Sequence, residues 1–349
     1  RANGRDEPFA VEMWCLGNEM DGPWQLGHRS ADDYGKIASQ TAKAMRQVDP
    51  SLTLVVCGSS SAHMPTFGEW ERVVLGHTFD DVDYISCHAY YEERGGDLAS
   101  FLASAVDMDG FIETVVATAD HVGAVRGSKK KIDISFDEWN VWYIDRFHGV
   151  DKIEGIDNWP VAPRLLEDVY SVADAVVFGN LMISLLKHAD RVTSASLAQL
   201  VNVIAPIMTE PGGPAWRQTT FFPFSITSRL AQGEALQLKL DSPTYATEVY
   251  GEVPLIDAVA TFDRESGRSA VFLVNRSQGE AVTLTVDITA LGDVAVLETH
   301  TLSDDDVYAK NTLEDRERVA PRANDSVAVD GGELTVTLPA VSWTAIALG

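Results

Sequence analysis

The sequence predicts an α/β protein in which a parallel sheet gives way, near residue 233, to an antiparallel β domain. Over roughly the first 200 residues, short apolar runs alternate with longer segments of helical period, the pattern of right-handed βαβ crossovers. After Trp216 the texture changes to period-two alternation with Gly, Asp and Ser between the runs, as in an antiparallel sandwich. The length, 349 residues, exceeds what one core usually fills. Two domains are therefore expected, 1–232 and 233–349.

VEMWCL (11–16) reads as a first, buried strand. Ser30 can cap a helix with Asp33 three residues on, and Tyr34, Ile37, Thr41, Met45 and Val48 lie along one face. Asp49-Pro50 stops that helix. LTLVVCG (52–58) and VDYISCHAY (82–90) are the second and third strands. Phe111 to Val125 is helical, with Gly127 past its end. KIDISFDEW (131–139) is the fourth strand, Leu165 to Leu186 a long apolar helix, and RVTSASLAQL (191–200) holds a weaker fifth strand. WRQTTFFPFSITSRLA is a last helical or irregular stretch. ALQLKL, EVPLIDAVATF, SAVFLV, AVTLTVDI and ELTVTL then alternate as strands.

The formal net charge of -25 argues against nucleic acid or an anionic membrane as partner and favours a neutral or cationic ligand. No apolar run is long enough to span a membrane. The opening RANGRDEPFA has no signal-peptide core and no initiator Met. Cys15, Cys57 and Cys87 each sit in or beside an apolar run and read as buried free thiols. No metal-ligand spacing such as CxxC or HExxH occurs, so no metal is expected.

In parallel α/β folds the working residues lie at the C-terminal ends of strands. Those ends deliver Asn18 and Glu19, then Gly58 to Ser61, then His88, Tyr90 and Tyr91, then Asp137 to Asn140, and finally Gln199 and Asn202. Two glutamates, Glu19 and Glu138, each flanked by Trp and Asn at the same end of one sheet, suit glycoside hydrolysis. One protonates the leaving oxygen; the other attacks the anomeric carbon or activates water. Trp14, Trp24, Tyr90, Tyr91, Trp139, Trp142 and Tyr143 supply faces for sugar rings, and no cofactor is required. The alternative is that each glutamate closes an internal salt bridge. His88 is either a satisfied core histidine or a donor beside the glutamates. GSSS (58–61) lacks the phosphate-loop spacing and reads as a tight turn. Asp83 and Asp133, early in their strands, read as structural, and Asp304 to Asp306 as a solvated loop.

GNEMDGPWQLGH, MPTFGEWE, VDYISCHAYY, FDEWNVWY and AQLVNVIAPIMT, in that order, resemble the glycoside hydrolase family 51 α-L-arabinofuranosidases from about residue 8 to the C-terminus. The resemblance implies a (β/α)8 TIM barrel, with Asn-Glu ending strand four and a second Glu ending strand seven, followed by a β-sandwich. It implies a retaining enzyme that releases terminal α-L-arabinofuranosyl units from oligo- or polysaccharides. By position, Glu19 resembles the acid/base, Glu138 the nucleophile and Asn18 the residue on the sugar 2-hydroxyl. Tyr90 resembles the partner of the nucleophile, His88 belongs to the same network, and Trp142 and Gln199 resemble furanose-pocket residues.

On that alignment the five strands are barrel strands four to eight. The chain is then expected to be a C-terminal portion that needs a missing N-terminal barrel segment, and to be inactive and aggregation-prone alone. The resemblance further implies a homo-oligomer, often a hexamer, and a cytoplasmic location. Glu19 should have a raised pKa, through the charge of Glu138 and burial under the tryptophans. An endo-glycanase or β-xylosidase of the same clan would share both glutamates, and the loop 144–163 is expected to wall the site and separate these cases. A non-catalytic carbohydrate-binding protein is the rival from another class.

Overall fold

The computed structural model describes residues 4–7 and 9–349; readings that touch residues 1–3 and 8 lie outside them. The chain forms two compact units, the first of Arg1–Ala89, Gly110–Trp139 and Asp190–Ser196, the second of Tyr90–Asp109, Asn140–Ala189 and Leu197–Gly349.

The first unit is built on β1 (Met13–Cys15), β2 (Thr53–Val56), β3 (Tyr84–Tyr91), β4 (Asp133–Val141) and β5 (Val192–Leu197), neighbours in chain order in one five-stranded sheet. β1 pairs in parallel with β2, and β2 with β3. The five strands expected from the sequence are thus found in one sheet. β1 departs from expectation: it is an edge strand rather than a buried one, with Trp14 45% exposed. Cys15 is exposed with it, whereas Cys57 and Cys87 are buried as anticipated.

α1 (Ala31–Val48) starts where the sequence places it, Ser30 accepting from the Asp33 amide. Its buried face is Tyr34, Ala38, Ser39 and Ala42, while Ile37 and Val48 of the expected stripe are exposed. Small residues decide this face. A Cβ on Gly35 would come within 2.8 Å of the His77 ring, so at that position α1 sits too close to α2 (Glu69–Thr78) for a side chain, while the adjoining Tyr34 stacks on Trp70 of α2. α2 was not anticipated. The carboxylate of Glu71, fully buried, starts it by accepting from the Gly68 and Ser59 amides, each at 2.7 Å.

At the opposite end of the sheet, Asp83 accepts from the Leu54 amide at 2.9 Å and from Arg46 at 2.6 Å, a structural role as expected. The GSSS turn is held by carboxylates: the Ser60 amide and hydroxyl both donate to Asp21. A loop whose donors already face Asp21 and Glu71 is a poor phosphate cradle, in agreement with the sequence reading.

α3 (Leu98–Leu102) begins in the second unit, and α4 (Ala105–Val125) runs on into the first. A short turn, α5 (Ile144–Arg146), opens the loop after β4. α6 (Val172–Lys187) begins seven residues later than the periodicity suggests. Leu166 has a left-handed φ of +56°, and Ser171 and Asp174 form a reciprocal capping box, so the helix nucleates there. β6 (Ile207–Thr209) and β7 (Ala215–Arg217) make a hairpin ahead of α7 (Phe221–Leu230).

β8 (Glu234–Leu236), the hairpin β9 (Thr244–Thr247) and β10 (Gly251–Pro254), β11 (Ile256–Phe262), β12 (Ser269–Asn275), β13 (Val282–Asp287), β14 (Val296–Leu302), β15 (Ala328–Asp330), β16 (Glu333–Leu338) and β17 (Ser342–Leu348) complete the chain. All pair antiparallel, in a sheet of order β14-β17-β12-β11-β8 and another of order β13-β16-β15. One apolar cluster joins the two: Ile256, Val271, Leu273 and Ile346 meet Leu334, Val336 and Leu338. Alternation is clear in β13, whose faces differ, and absent in β12 and β17, which are buried throughout. Those two strands are central to their sheet and contact α6, with Gly179 pressed on the Trp343 indole. No helix among the described residues is long and apolar enough to cross a membrane.

Candidate active site

Glu19 follows β1 in a left-handed conformation, φ +46°, which a residue with a Cβ adopts only when its surroundings hold it there. Three donors converge on its carboxylate. Oε2 accepts from Trp24 Nε1 at 2.5 Å and from Gln25 Nε2 at 3.3 Å, and Oε1 lies 3.1 Å from His88 Nδ1. These partners come from the chain just downstream of Glu19 and from β3.

His88 is buried, and both of its ring nitrogens face carboxylates. Nε2 lies 3.0 Å from Asp137 Oδ1, while Nδ1 is 3.3 Å from Glu138 Oε2 as well as 3.1 Å from Glu19. A neutral imidazole has one N–H and cannot donate on both sides, so the geometry is that of an imidazolium. Burial alone would push its pKa down; hydrogen bonds to Asp137 and Glu19 and the charges of Glu138 and Asp137 outweigh that and raise it to about 10. Asp137 is in turn anchored on its other oxygen by Cys15 Sγ at 3.3 Å.

Burial would raise the pKa of Glu19, as the sequence reading expected. The direction found is the reverse. The hydrogen bonds from His88, Trp24 and Gln25 stabilise the charged form and hold the carboxyl below its ordinary value. Because the three partners are all donors, this geometry belongs to the ionised form of Glu19. Burial wins at neighbouring Asp21, which is raised despite the Ser60 bonds.

Glu19, His88 and Glu138 offer one ligand atom each within 4.8 Å of one another, the one such group among the described residues. With hydrogens directed at carboxylates from both ring nitrogens, His88 has no lone pair to give a cation. The trio is an ion-paired acid cluster and a poor metal centre. The arrangement suits proton transfer at one carboxylate and nucleophilic attack by the other.

The first unit thus brings together Glu19, Glu138 and His88, with Asn18 exposed beside Glu19. Tyr90, Trp142 and Gln199 fall in the second unit. There the Tyr90 and Trp142 rings meet edge to face with centroids 4.8 Å apart. Trp142 Nε1 is buried with no hydrogen-bond partner among the described residues. Gln199 is exposed. Sequence reasoning named Asp137 as a strand-end residue but gave it no role; an acidic pair ending a strand opposite a strand-end histidine was the available signal. Gln25 carried no comparable mark.

The model of the α-L-arabinofuranosidase C-terminal domain family matches residues 137–342. An exo-α-(1→6)-L-arabinofuranosidase of Bifidobacterium longum is 58% identical over 99% of this chain and 67% of its own length. An intracellular exo-α-(1→5)-L-arabinofuranosidase of Streptomyces lividans is also 58% identical, over 99% of this chain and 51% of its own. The chain therefore spans between half and two thirds of the length of these curated relatives. Among solved structures, a family 51 α-L-arabinofuranosidase of Bifidobacterium longum superposes with a TM-score of 0.95 at 47% identity, covering all of this chain and 70% of that one.

Proposed function

This chain belongs to the glycoside hydrolase family 51 α-L-arabinofuranosidases, and on that premise we propose that it releases terminal α-L-arabinofuranosyl units by double displacement. One observation carries the reading: oxygens of Glu19 and Glu138 lie within 4.8 Å of each other. Retaining glycosidases hold their carboxyl groups about 5–5.5 Å apart, and inverting ones leave roughly 6.5–9.5 Å for a water.

In this reading Glu138 attacks the anomeric carbon while Glu19 gives its proton to the departing oxygen. Glu19 then takes a proton from water, whose oxygen displaces Glu138 from the glycosyl-enzyme. Asn18 binds the sugar 2-hydroxyl, His88 orients the two glutamates, and Tyr90, Trp142 and Gln199 serve the furanose. The unpartnered N–H of Trp142 supports that assignment, since a sugar hydroxyl would satisfy it. We read β1 to β5 as strands of a (β/α)8 barrel within residues 1–232, and 233–349 as a β-sandwich. By likeness to a relative named as intracellular we place the protein inside the cell, and the family resemblance alone suggests a homo-oligomer.

The two relatives at 58% identity are named for different linkages, so both the 1→5 and the 1→6 bond belong in the assay. The test uses the protein as its gene encodes it, on aryl α-L-arabinofuranoside and aryl β-D-xyloside. Glu138→Ala should lose at least about 1,000-fold in kcat on the arabinoside and regain turnover with azide, which takes the place of the carboxylate. Activity that survives in Glu138→Ala without azide, or a preference for the xyloside, would overturn the reading.

A further inference from the structure

His88 Nδ1 faces two carboxylates at nearly equal distance, 3.1 Å to Glu19 and 3.3 Å to Glu138, with one hydrogen to offer them. Its other nitrogen is held by Asp137, and Cys15 holds Asp137. We propose that Asp137 is a positioning residue that fixes His88 as a double donor, so that its Nδ1 hydrogen passes from Glu138 to Glu19 as the reaction proceeds.

With the roles proposed above for the two glutamates, the charge facing Nδ1 changes between the two half-reactions. In the free enzyme Glu138 is ionised and competes with Glu19 for the Nδ1–H. Shared in this way, the hydrogen stabilises ionised Glu19 less than a full bond would, and Glu19 is more readily the acid. Once Glu138 is esterified to the sugar it carries no charge, and the hydrogen bond goes wholly to Glu19. Glu19 is then held ionised, as the base of the second half-reaction requires. No atom is transferred to or from His88; what moves is the direction of one hydrogen bond.

Asp137 is what makes this possible. Without an acceptor charged at Nε2, the ring reverts to one hydrogen and can serve only one side. The groups facing the ring are Glu19 from the segment after β1 and Asp137 and Glu138 from β4, with the Cys15 thiol of β1 behind Asp137. Although Cys15 is exposed at the sheet edge, partial desolvation of its thiol and the charge of Asp137 push it up to about 12, so it stays a neutral donor across the working range.

The test is Asp137→Asn, which keeps the shape and removes the charge, in the protein as its gene encodes it. On 2,4-dinitrophenyl α-L-arabinofuranoside, whose leaving group needs no acid, only the second half-reaction depends on Glu19. There kcat and KM should fall together by about 10- to 100-fold, with kcat/KM within about threefold of the parent and a burst of dinitrophenol. A merely structural loss would lower kcat/KM as much as kcat, and that result would overturn the proposal.

Nitrogen-15 spectra of labelled histidine, with the His88 signals assigned by their absence in His88→Gln, give a readout free of activity. The parent should carry hydrogens on both ring nitrogens near neutral pH and Asp137→Asn on one. An unchanged doubly protonated ring in Asp137→Asn would also overturn the proposal. If the parent has no arabinofuranosidase activity, the proposed function fails, while the spectra still decide whether Asp137 sets the charge of His88.

Discussion

The indole N–H of Trp24 donates to Oε2 of Glu19 across 2.5 Å, although the Trp24 ring is 58% exposed. An exposed aromatic face and a partly buried carboxylate are thus joined by one hydrogen bond. The side chain that can meet a ligand from solvent also sets the ionisation of the residue beneath it. Two residues of WCLGNEMDGPW that look like separate sugar-binding and catalytic marks form one unit.

Trp24→Phe keeps the ring and deletes the donor. The bond stabilises ionised Glu19, so its loss raises the pKa of Glu19, and the acid form persists to higher pH. A hydrogen bond to a charged group contributes about 1.5–3 kcal/mol, which corresponds to about one pH unit or more. On an arabinoside with a poor leaving group, the alkaline limb of the kcat/KM profile should move up by about that much. A limb that stays in place or moves down would contradict the assignment of Glu19 as the acid.

The GSSS turn is fixed as much by sterics as by its carboxylate partners. A Cβ on Gly58 would lie 2.1 Å from the Ser86 carbonyl oxygen, and backbone cannot yield as a flexible side chain can. Gly58→Ala should therefore cost about 1–3 kcal/mol by overpacking, measured by denaturant unfolding. Gly76, inside α2 with nothing within 4 Å of a Cβ, is the control. There Ala should stabilise by up to about 1 kcal/mol, so the two variants should move the midpoint in opposite directions.

The strands that carry Glu19, His88 and Glu138 were legible because each ends an apolar run in chemistry that a core has no use for. Ser30 announced α1 because a cap is a local device, written in two or three residues. Of the buried face of α1 only Tyr34 was legible: Gly35, Ala38, Ser39 and Ala42 are small, and close packing of small residues leaves no hydrophobic period to count. α2 was missed for a similar reason. It depends on Glu71 reaching back to Gly68 and across to Ser59, and the second contact joins residues twelve apart in sequence. The sign of the Glu19 shift could not be read either. It depends on three donors, of which His88 lies on another strand and 69 residues away.

Arg229 grips Glu298 with two nitrogens, at 2.5 and 2.9 Å, and His300 adds a third contact at 2.8 Å. The Arg229 bond, against a smaller opposing effect of burial, lowers the Glu298 pKa from 4.5 to about 2. A carboxylate depressed in the folded state adds stability above its unfolded pKa and loses it as pH falls through the folded one. The pair is partly exposed, so its contribution is under about 1 kcal/mol after screening. Glu298→Gln should be that much less stable than the parent at pH 7, and the gap should narrow steadily below pH ~4.5. A gap that is constant from pH 7 to pH 3 would show that the ionic pairing adds nothing.

Beneath α6 the balance is different, because the charges are out of reach of water. Arg276, 2% exposed, donates to Asp257 at 3.0 Å and twice to Asn180, while Asn180 donates to the same Asp257 oxygen at 2.8 Å. Lys187 lies 3.4 Å from the other Asp257 oxygen and 2.7 Å from Asp109, extending the network to the helix end. Removing one partner of such a group strands a buried charge, so Asp257→Leu should cost about 3–5 kcal/mol. Arg276→Met alone should be comparably costly. The double variant replaces the ion pair with apolar volume and should cost less than the sum of the single losses, giving a coupling of about 1–3 kcal/mol in a double-mutant cycle. Additive losses would mean that Asp257 and Arg276 act separately, Arg276 through Asn180 and Asp257 through Lys187, and that their 3.0 Å contact carries no energy of its own.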